Sequence, residues 1–158
     1  HELFEEIVDV AKMAPTWKNT QTLRYILVQN EDIIAKITDE CLLGFEHNAK
    51  TLAKCKNLVL LVQVNGRCGY ERDGSFSTSK GTGWEMFDAG IAAQTFCLAA
   101  HDKGVGSCIL GVFDDAKVAE VVGLPEGRTV AALIPIGFPK FTPEATPRKE
   151  TEELISYM

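Results

Sequence analysis

The segment Leu58-Val59-Leu60-Leu61-Val62-Gln63-Val64 constrains this chain more than any other. A strand with one wet face alternates polar and apolar residues, so a nearly unbroken apolar run predicts a strand covered on both faces. A second stretch makes a similar demand. Residues 84–103 read as the longest helix, about 30 Å at 1.5 Å per residue. Phe87, Gly90, Ile91, Ala92, Ala93, Phe96, Cys97 and Leu98 leave it little polar face. A helix apolar nearly all round belongs in a core or at a subunit interface. With 158 residues, one domain spanning 1–158 is expected to enclose both.

The remaining elements follow from local signals. Leu3, Ile7, Ala11 and Ala14 line one face of a helix over 2–14, which Pro15 ends. Thr16 to Thr22 is polar and reads as an exposed loop, and Leu23–Val28 as a strand. Asn30 is a helix N-cap, with Ile33, Ile34 and Ile37 as the buried stripe and Gly44 as a stop. Residues 45–57 carry no clear period. Asp114 caps a further helix, with Phe113 and Val118 placed as a hydrophobic staple. Gly123 and Pro125 end that helix, and residues 129–136 read as a strand.

Asn65 to Gly83 changes character, with five glycines among Ser, Thr and charged residues. A loop this long inside a compact domain is a lid, a binding loop or a floppy excursion.

Sixteen Lys+Arg against 22 Asp+Glu give a net charge of −6, which argues against nucleic-acid binding. No apolar run reaches the roughly 18 residues of a membrane span, and the acidic start Glu2-Leu3-Phe4-Glu5-Glu6 is unlike a secretory signal. Five Cys, with no CxxC, read as free thiols in a reducing cytoplasm. The three His lack metal-ligand spacing, so no metal site is expected.

Familiar phosphate-binding motifs fail on their third position. Gly104-x-Gly106 has Ile109 where a dinucleotide fingerprint needs Gly or Ala, and Gly81-x-Gly83 has Met86. Cys97 and His101 are one helical turn apart, but a thiol among Ala, Phe and Leu is raised in pKa and inert. Glu85 and Asp88 near the start of the long helix are accounted for by its dipole.

Three features offer more chemistry. Pro15-Thr16-Trp17-Lys18-Asn19-Thr20-Gln21 sets hydroxyl, amide and cation donors beside an aromatic ring. Cys108-Ile109-Leu110-Gly111 is a glycine-bounded turn whose backbone N–H groups can face a ligand. Together they can line a planar heterocycle, backbone against its edge and apolar side chains against its face. Arg148, after Pro147, can pair with a phosphate through two parallel bonds. Each also has an ordinary reading, as a polar turn, a tight turn and a solvated charge.

In combination the chain resembles the FMN-dependent nitroreductase family, and its small subgroup in particular. The likeness is carried by Ala14-Pro15-Thr16 with Asn19 and Gln21, by Asp88-Ala89-Gly90-Ile91-Ala92-Ala93-Gln94, by Gly104-Val105-Gly106-Ser107-Cys108, and by Ile134-Pro135-Ile136-Gly137 with Pro147-Arg148. The resemblance implies an α+β fold with a central, mostly antiparallel sheet flanked by helices and a long buried helix. It further implies a homodimer with FMN held where the subunits meet, and the apolar surface of the long helix and of strand 58–64 agrees, since an interface of about 2,000 Å² or more would absorb it. By the same resemblance Pro15, Thr16 and Asn19 reach the flavin, Ile109, Leu110 and Gly111 face its reactive edge, and Arg148 binds its phosphate. No protein side chain is expected to be catalytic, since the flavin carries the chemistry. The implied activity is ping-pong hydride transfer from NAD(P)H to a nitro, quinone or related acceptor. The alternative is a flavin-binding or flavin-processing protein without NAD(P)H turnover.

Two departures accompany the likeness. Nothing before Glu2 supplies the Arg-x-Ser-x-Arg segment with which the family usually opens, so either it was lost upstream of His1 or phosphate binding is weakened here, and Thr22-Leu23 stands where the family has Pro-Trp.

Overall fold

The computed structural model describes residues 1–158. Its elements in chain order are helix α1 (Glu2–Ala11), strand β1 (Leu23–Val28), α2 (Glu31–Glu40), α3 (Glu46–Leu52), β2 (Leu58–Val64), α4 (Gly83–Asp102), β3 (Gly106–Ser107), α5 (Asp115–Val122), β4 (Arg128–Gly137) and α6 (Thr151–Leu154). The four strands form one sheet in the order β1-β2-β4-β3, every pair antiparallel. The fold is α+β, as expected.

The apolar run 58–64 is indeed the two-sided strand. Leu58 to Gln63 are fully buried, and β2 pairs with β1 on one side and β4 on the other. Because successive side chains point to opposite faces, the run divides between two cores. Val59 and Leu61 join Ile7, Ala92, Phe96 and Ile134 under α1 and α4. Leu58, Leu60 and Val62 join Ile34, Ile37, Leu52, Val118 and Leu133 under α2, α3 and α5. Gln63, the one polar residue of the run, is satisfied in place. It accepts from the Thr22 hydroxyl at 3.3 Å and donates to the Val64 carbonyl at 2.8 Å.

Helix ends follow their local chemistry. The Asn30 side chain accepts the Ile33 N–H, and the Asp114 side chain accepts the Lys117 N–H at 3.1 Å. After α4, Gly104 adopts φ +73°. Its N–H donates to His101 and that of Val105 to Ala100, the paired bonds that close a helix in a left-handed residue.

Three expectations need correction. α1 ends at Ala11, not 14, because Met13 and Ala14 tighten into i→i−3 bonds with Val10 and Ala11 before Pro15. Thr22 is buried rather than part of an exposed loop, since it starts the pairing with β2 and its carbonyl accepts the Val64 N–H. The unassigned stretch 45–57 holds α3, whose Asn48 and Leu52 are buried.

Nor is 65–83 a floppy excursion. Glu85 on α4 accepts the Gly66 N–H at 2.8 Å, tying the loop's start to its end. Tyr70 bridges Phe76 around a turn at 71–75, and the Trp84 indole N–H donates to Thr78. Residues 137–158, by contrast, are exposed throughout. No helix is long and apolar enough to cross a membrane.

Candidate functional site

The loop between α1 and β1 is held in an unusual backbone. Lys18, Asn19 and Gln21 have φ of 44°, 55° and 51°. A non-glycine residue in this region is uncommon; each costs about 1–3 kcal/mol and persists only where its surroundings hold it there. Here they do. The Thr16 side chain accepts the Gln21 N–H at 3.0 Å, and the Thr16 carbonyl accepts the Asn19 N–H at 3.0 Å. The Trp17 N–H donates to Asp88 Oδ2 at 2.8 Å, and the Trp17 ring packs on Trp84 with centroids 4.6 Å apart. The turn exposes Pro15 and Asn19 and leaves Thr16 half-buried. It also holds two buried polar atoms without a partner, Trp17 Nε1 and Thr20 Oγ1. Buried polar atoms are nearly always paired, so an orphan points to a functional role or a missing partner.

The 65–83 loop meets this turn. Lys18 Nζ lies 3.0 Å from Glu71 Oε1, which also accepts the Ser77 hydroxyl at 2.5 Å. The Ser77 bond first, and Lys18 second, hold the Glu71 carboxyl below the usual range.

Ile109, Leu110 and Gly111 run beside β4. Leu110 exchanges both backbone bonds with Leu133, at 2.8 and 3.2 Å, and its side chain is buried in the core beneath α2 and α5. The Cys108 N–H is directed to Pro135 in the same way. Strand alternation therefore turns the N–H groups of Ile109 and Gly111 outward, and neither has a backbone partner. Only these two of the three N–H groups are free to meet a ligand.

Arg148 lies in the exposed tail, and its Nη1 donates to the Thr146 side chain and carbonyl and to the Pro147 carbonyl. The three candidate groups thus stand apart in one chain. The Asn19 turn precedes β1 at one sheet edge, Ile109–Gly111 flank β4 at the other, and Arg148 follows β4.

A cavity of ≈ 600 Å³ opens between α1, β1 and α4. Thr16 is the one expected site residue that lines it, together with Ala14, Gln21, Arg24, Tyr25 and Ala92. Tyr25, whose hydroxyl reaches the Ala92 carbonyl at 3.4 Å, is pushed up to about 12, mainly by burial.

The Cys97–His101 pair gains nothing from the structure. Burial raises Cys97, against a lowering bond with Ser107, and His101 is exposed. Two residues explained at first by the helix dipole matter more. Glu85 and Asp88 are buried, and each accepts a hydrogen bond from a distant loop. The signal was present: carboxylates on a helix with little polar face have no solvent to point at.

A four-stranded antiparallel sheet with helices on both faces, and a turn of left-handed backbone held against the longest helix, define an α+β fold. The chain belongs to the nitroreductase family, whose model, described as "Nitroreductase family", matches residues 1–138. It is 25% identical over 146 residues to a protein of Methanothermobacter thermautotrophicus, provisionally named an NADH dehydrogenase/NAD(P)H nitroreductase; the match covers 90% of this chain and 68% of that protein. It is 40% identical to an NADPH-flavin oxidoreductase of Vibrio harveyi over 63 residues, 39% of this chain and 26% of that protein. Among solved structures, a nitroreductase family protein of Streptococcus pneumoniae superposes with a TM-score of 0.84 at 18% identity, covering 99% of this chain and 89% of its own. One from Clostridium novyi reaches 0.73 at 26% identity, covering 89% and 74%.

Proposed function

We propose that the protein is a cytoplasmic FMN-dependent oxidoreductase acting as a homodimer, with Pro15, Thr16 and Asn19 of one protomer and Ile109, Leu110 and Gly111 of its partner on either side of the flavin. The observation that carries this reading is the Asn19 turn. Strained non-glycine backbone, two orphaned buried polar atoms and an exposed carboxamide are grouped in six residues, Pro15 to Thr20. FMN-dependent nitroreductase is also the name of a Clostridium difficile protein of the same fold, with a TM-score of 0.76 at 19% identity.

Bound FMN would supply the hydride-carrying centre, alternately reduced by NAD(P)H and oxidised by a nitro, quinone or related acceptor. The chain's own residues bind and orient. Asn19 presents an amide that can donate to or accept from a ring edge. The outward N–H groups of Ile109 and Gly111 are fixed donors, the kind that stabilise negative charge developing on a ring without reorganising. Leu110 acts by anchoring that segment to β4. Arg148 binds phosphate once its guanidinium leaves the carbonyls of its own tail.

The dimer accounts for an exposed stripe on α4. Phe87, Gly90, Gln94 and Leu98 recur every three or four residues on its outer side, with Met86 alongside. Phe87 and Leu98 are each 59% exposed. A second copy covering this stripe would exclude water and bring the two edge patches together. The five free thiols support the cytoplasmic placement.

The test is equilibrium binding of FMN to the purified protein, followed by anaerobic addition of NADH or NADPH. We expect a dimer with one FMN per chain whose visible band is bleached by a nicotinamide. No retained FMN overturns the proposal. FMN that neither nicotinamide bleaches leaves a flavin-binding protein without NAD(P)H turnover.

A further inference from the structure

Asp88 occupies an unusual position for a carboxylate. It stands on α4 and is only 2% exposed. A carboxylate taken out of water is costly unless its lone pairs are satisfied. Both donors to Asp88 come from far along the chain. The Trp17 backbone N–H reaches Oδ2 at 2.8 Å, and the Cys68 thiol reaches the same oxygen at 3.0 Å. The thiol remains a donor because burial, and then the bond to Asp88, push Cys68 up to about 12. One oxygen thus joins α4, the strained turn and the 65–83 loop.

We propose that Asp88 is the positioning residue of the Asn19 turn: its buried Oδ2 fixes the backbone at Trp17 and the loop at Cys68 from a single point on α4. The proposal rests on the reading that the Asn19 turn faces FMN. The donor from the turn is a main-chain group, so Asp88 sets the path of the chain rather than the side chain at 17. The left-handed residues Lys18 and Asn19 follow directly, and Glu85, one turn earlier on α4, ties down Gly66 in the same manner. Without an acceptor at 88, the turn loses the anchor at its first residue. The strain at Lys18 and Asn19 can then relax, and the Asn19 amide moves from its place. Asp88 touches no substrate or cofactor in this scheme; it acts through the turn.

The protein carries its own reporter of this geometry. Trp17 and Trp84 lie 4.6 Å apart at an interplanar angle of 48°, close enough for the indoles to couple and give a circular-dichroism couplet. The experiment compares wild type, Asp88→Asn and Asp88→Ala by that couplet without added FMN, and by FMN titration. Asp88→Ala is expected to lose the couplet and bind FMN about tenfold or more weakly, the size of one lost charge-assisted hydrogen bond. Asp88→Asn keeps an oxygen acceptor for the Trp17 N–H. It is expected to retain the couplet and to bind within about threefold of wild type.

An Asp88→Ala protein that folds, keeps the couplet and binds FMN like wild type overturns the proposal. So does an Asp88→Asn protein as impaired as the alanine variant. Should Asp88→Ala fail to fold, Asp88→Asn decides. Loss of either signal in a folded Asp88→Asn protein overturns the anchor; retention upholds it only together with slow hydrogen exchange at the Trp17 amide of the wild type, and fast exchange there overturns it. Wild type that binds no FMN contradicts the proposed function instead, while the couplet still tests the anchor.

Discussion

Lys18 and Glu71, 53 residues apart in sequence, meet at 3.0 Å between Nζ and Oε1 and so join the α1–β1 turn to the loop before α4. Both side chains are about half exposed, so the pair contributes little to global stability and acts as a local tether.

Its pH dependence follows from the Glu71 carboxyl, which Ser77 and Lys18 hold below the usual range. A depressed carboxyl contributes above its unfolded pKa and loses that contribution as pH falls through the lowered folded value. We expect the protection factors of amides 71–77, with exchange corrected for its intrinsic pH dependence, to fall on acidification through and below the ordinary glutamate range. Glu71→Gln should show the faster exchange already at neutral pH, with its thermal midpoint within about two degrees of wild type. Unchanged exchange in the variant would contradict the tether.

Phe96 is fully buried between α1 and the sheet. Its ring stacks on Tyr25 at 5.3 Å and meets Phe4 edge-on at 6.2 Å. Phe96→Ala should cost about 3–5 kcal/mol in chemical denaturation, through lost burial and the cavity left behind. A cost below about 1 kcal/mol would place the ring outside the core.

Gly69 and Gly74 both have positive φ, but only Gly69 is crowded. A Cβ there would sit 2.8 Å from the Gly81 carbonyl oxygen, whereas one at Gly74 meets nothing within 4 Å. Gly69→Ala should therefore destabilise by more than Gly74→Ala, the first adding a backbone clash to the strain of about 1 kcal/mol they share. Equal effects would contradict the close approach of the loop's two ends.

Thiol reactivity should separate the five cysteines. Cys108 is exposed, Cys55 and Cys97 are half-buried, and Cys41 and Cys68 are buried. At neutral pH a disulfide reagent should label Cys108 first, with Cys68 resisting until the protein unfolds, since it is buried and its pKa stands near 12. Peptide mapping after brief labelling checks the order.

The elements that the sequence made legible are those fixed by neighbours in the chain. The apolar run 58–64 needed no partner to identify it, because only a strand covered on both faces tolerates it. Asn30, Asp114, Gly104 and Gly123 marked helix ends because caps act over three or four residues. What escaped depends on contacts across the fold. Asp88 looked like a dipole partner because its donors lie 20 and 71 residues away. Thr22 looked like loop because its partner is Gln63. Leu110 looked like a free donor because the strand that takes its N–H begins 18 residues later.

The central claim is that two chains together hold one flavin, the Asn19 turn of one facing the Ile109–Gly111 segment of the other. Mixed dimers of Asn19→Ala and Gly111→Val test it directly. A Cβ at Gly111 meets nothing within 4 Å, so the substitution starts without a clash inside its own chain. FMN binding is measured for each variant alone and after dissociation and reassembly of an equal mixture. We expect both parents to bind poorly and the mixture to recover roughly a quarter of the wild-type sites, since half the dimers are mixed and each rebuilds one intact site. A mixture that binds no better than its parents would contradict the shared site.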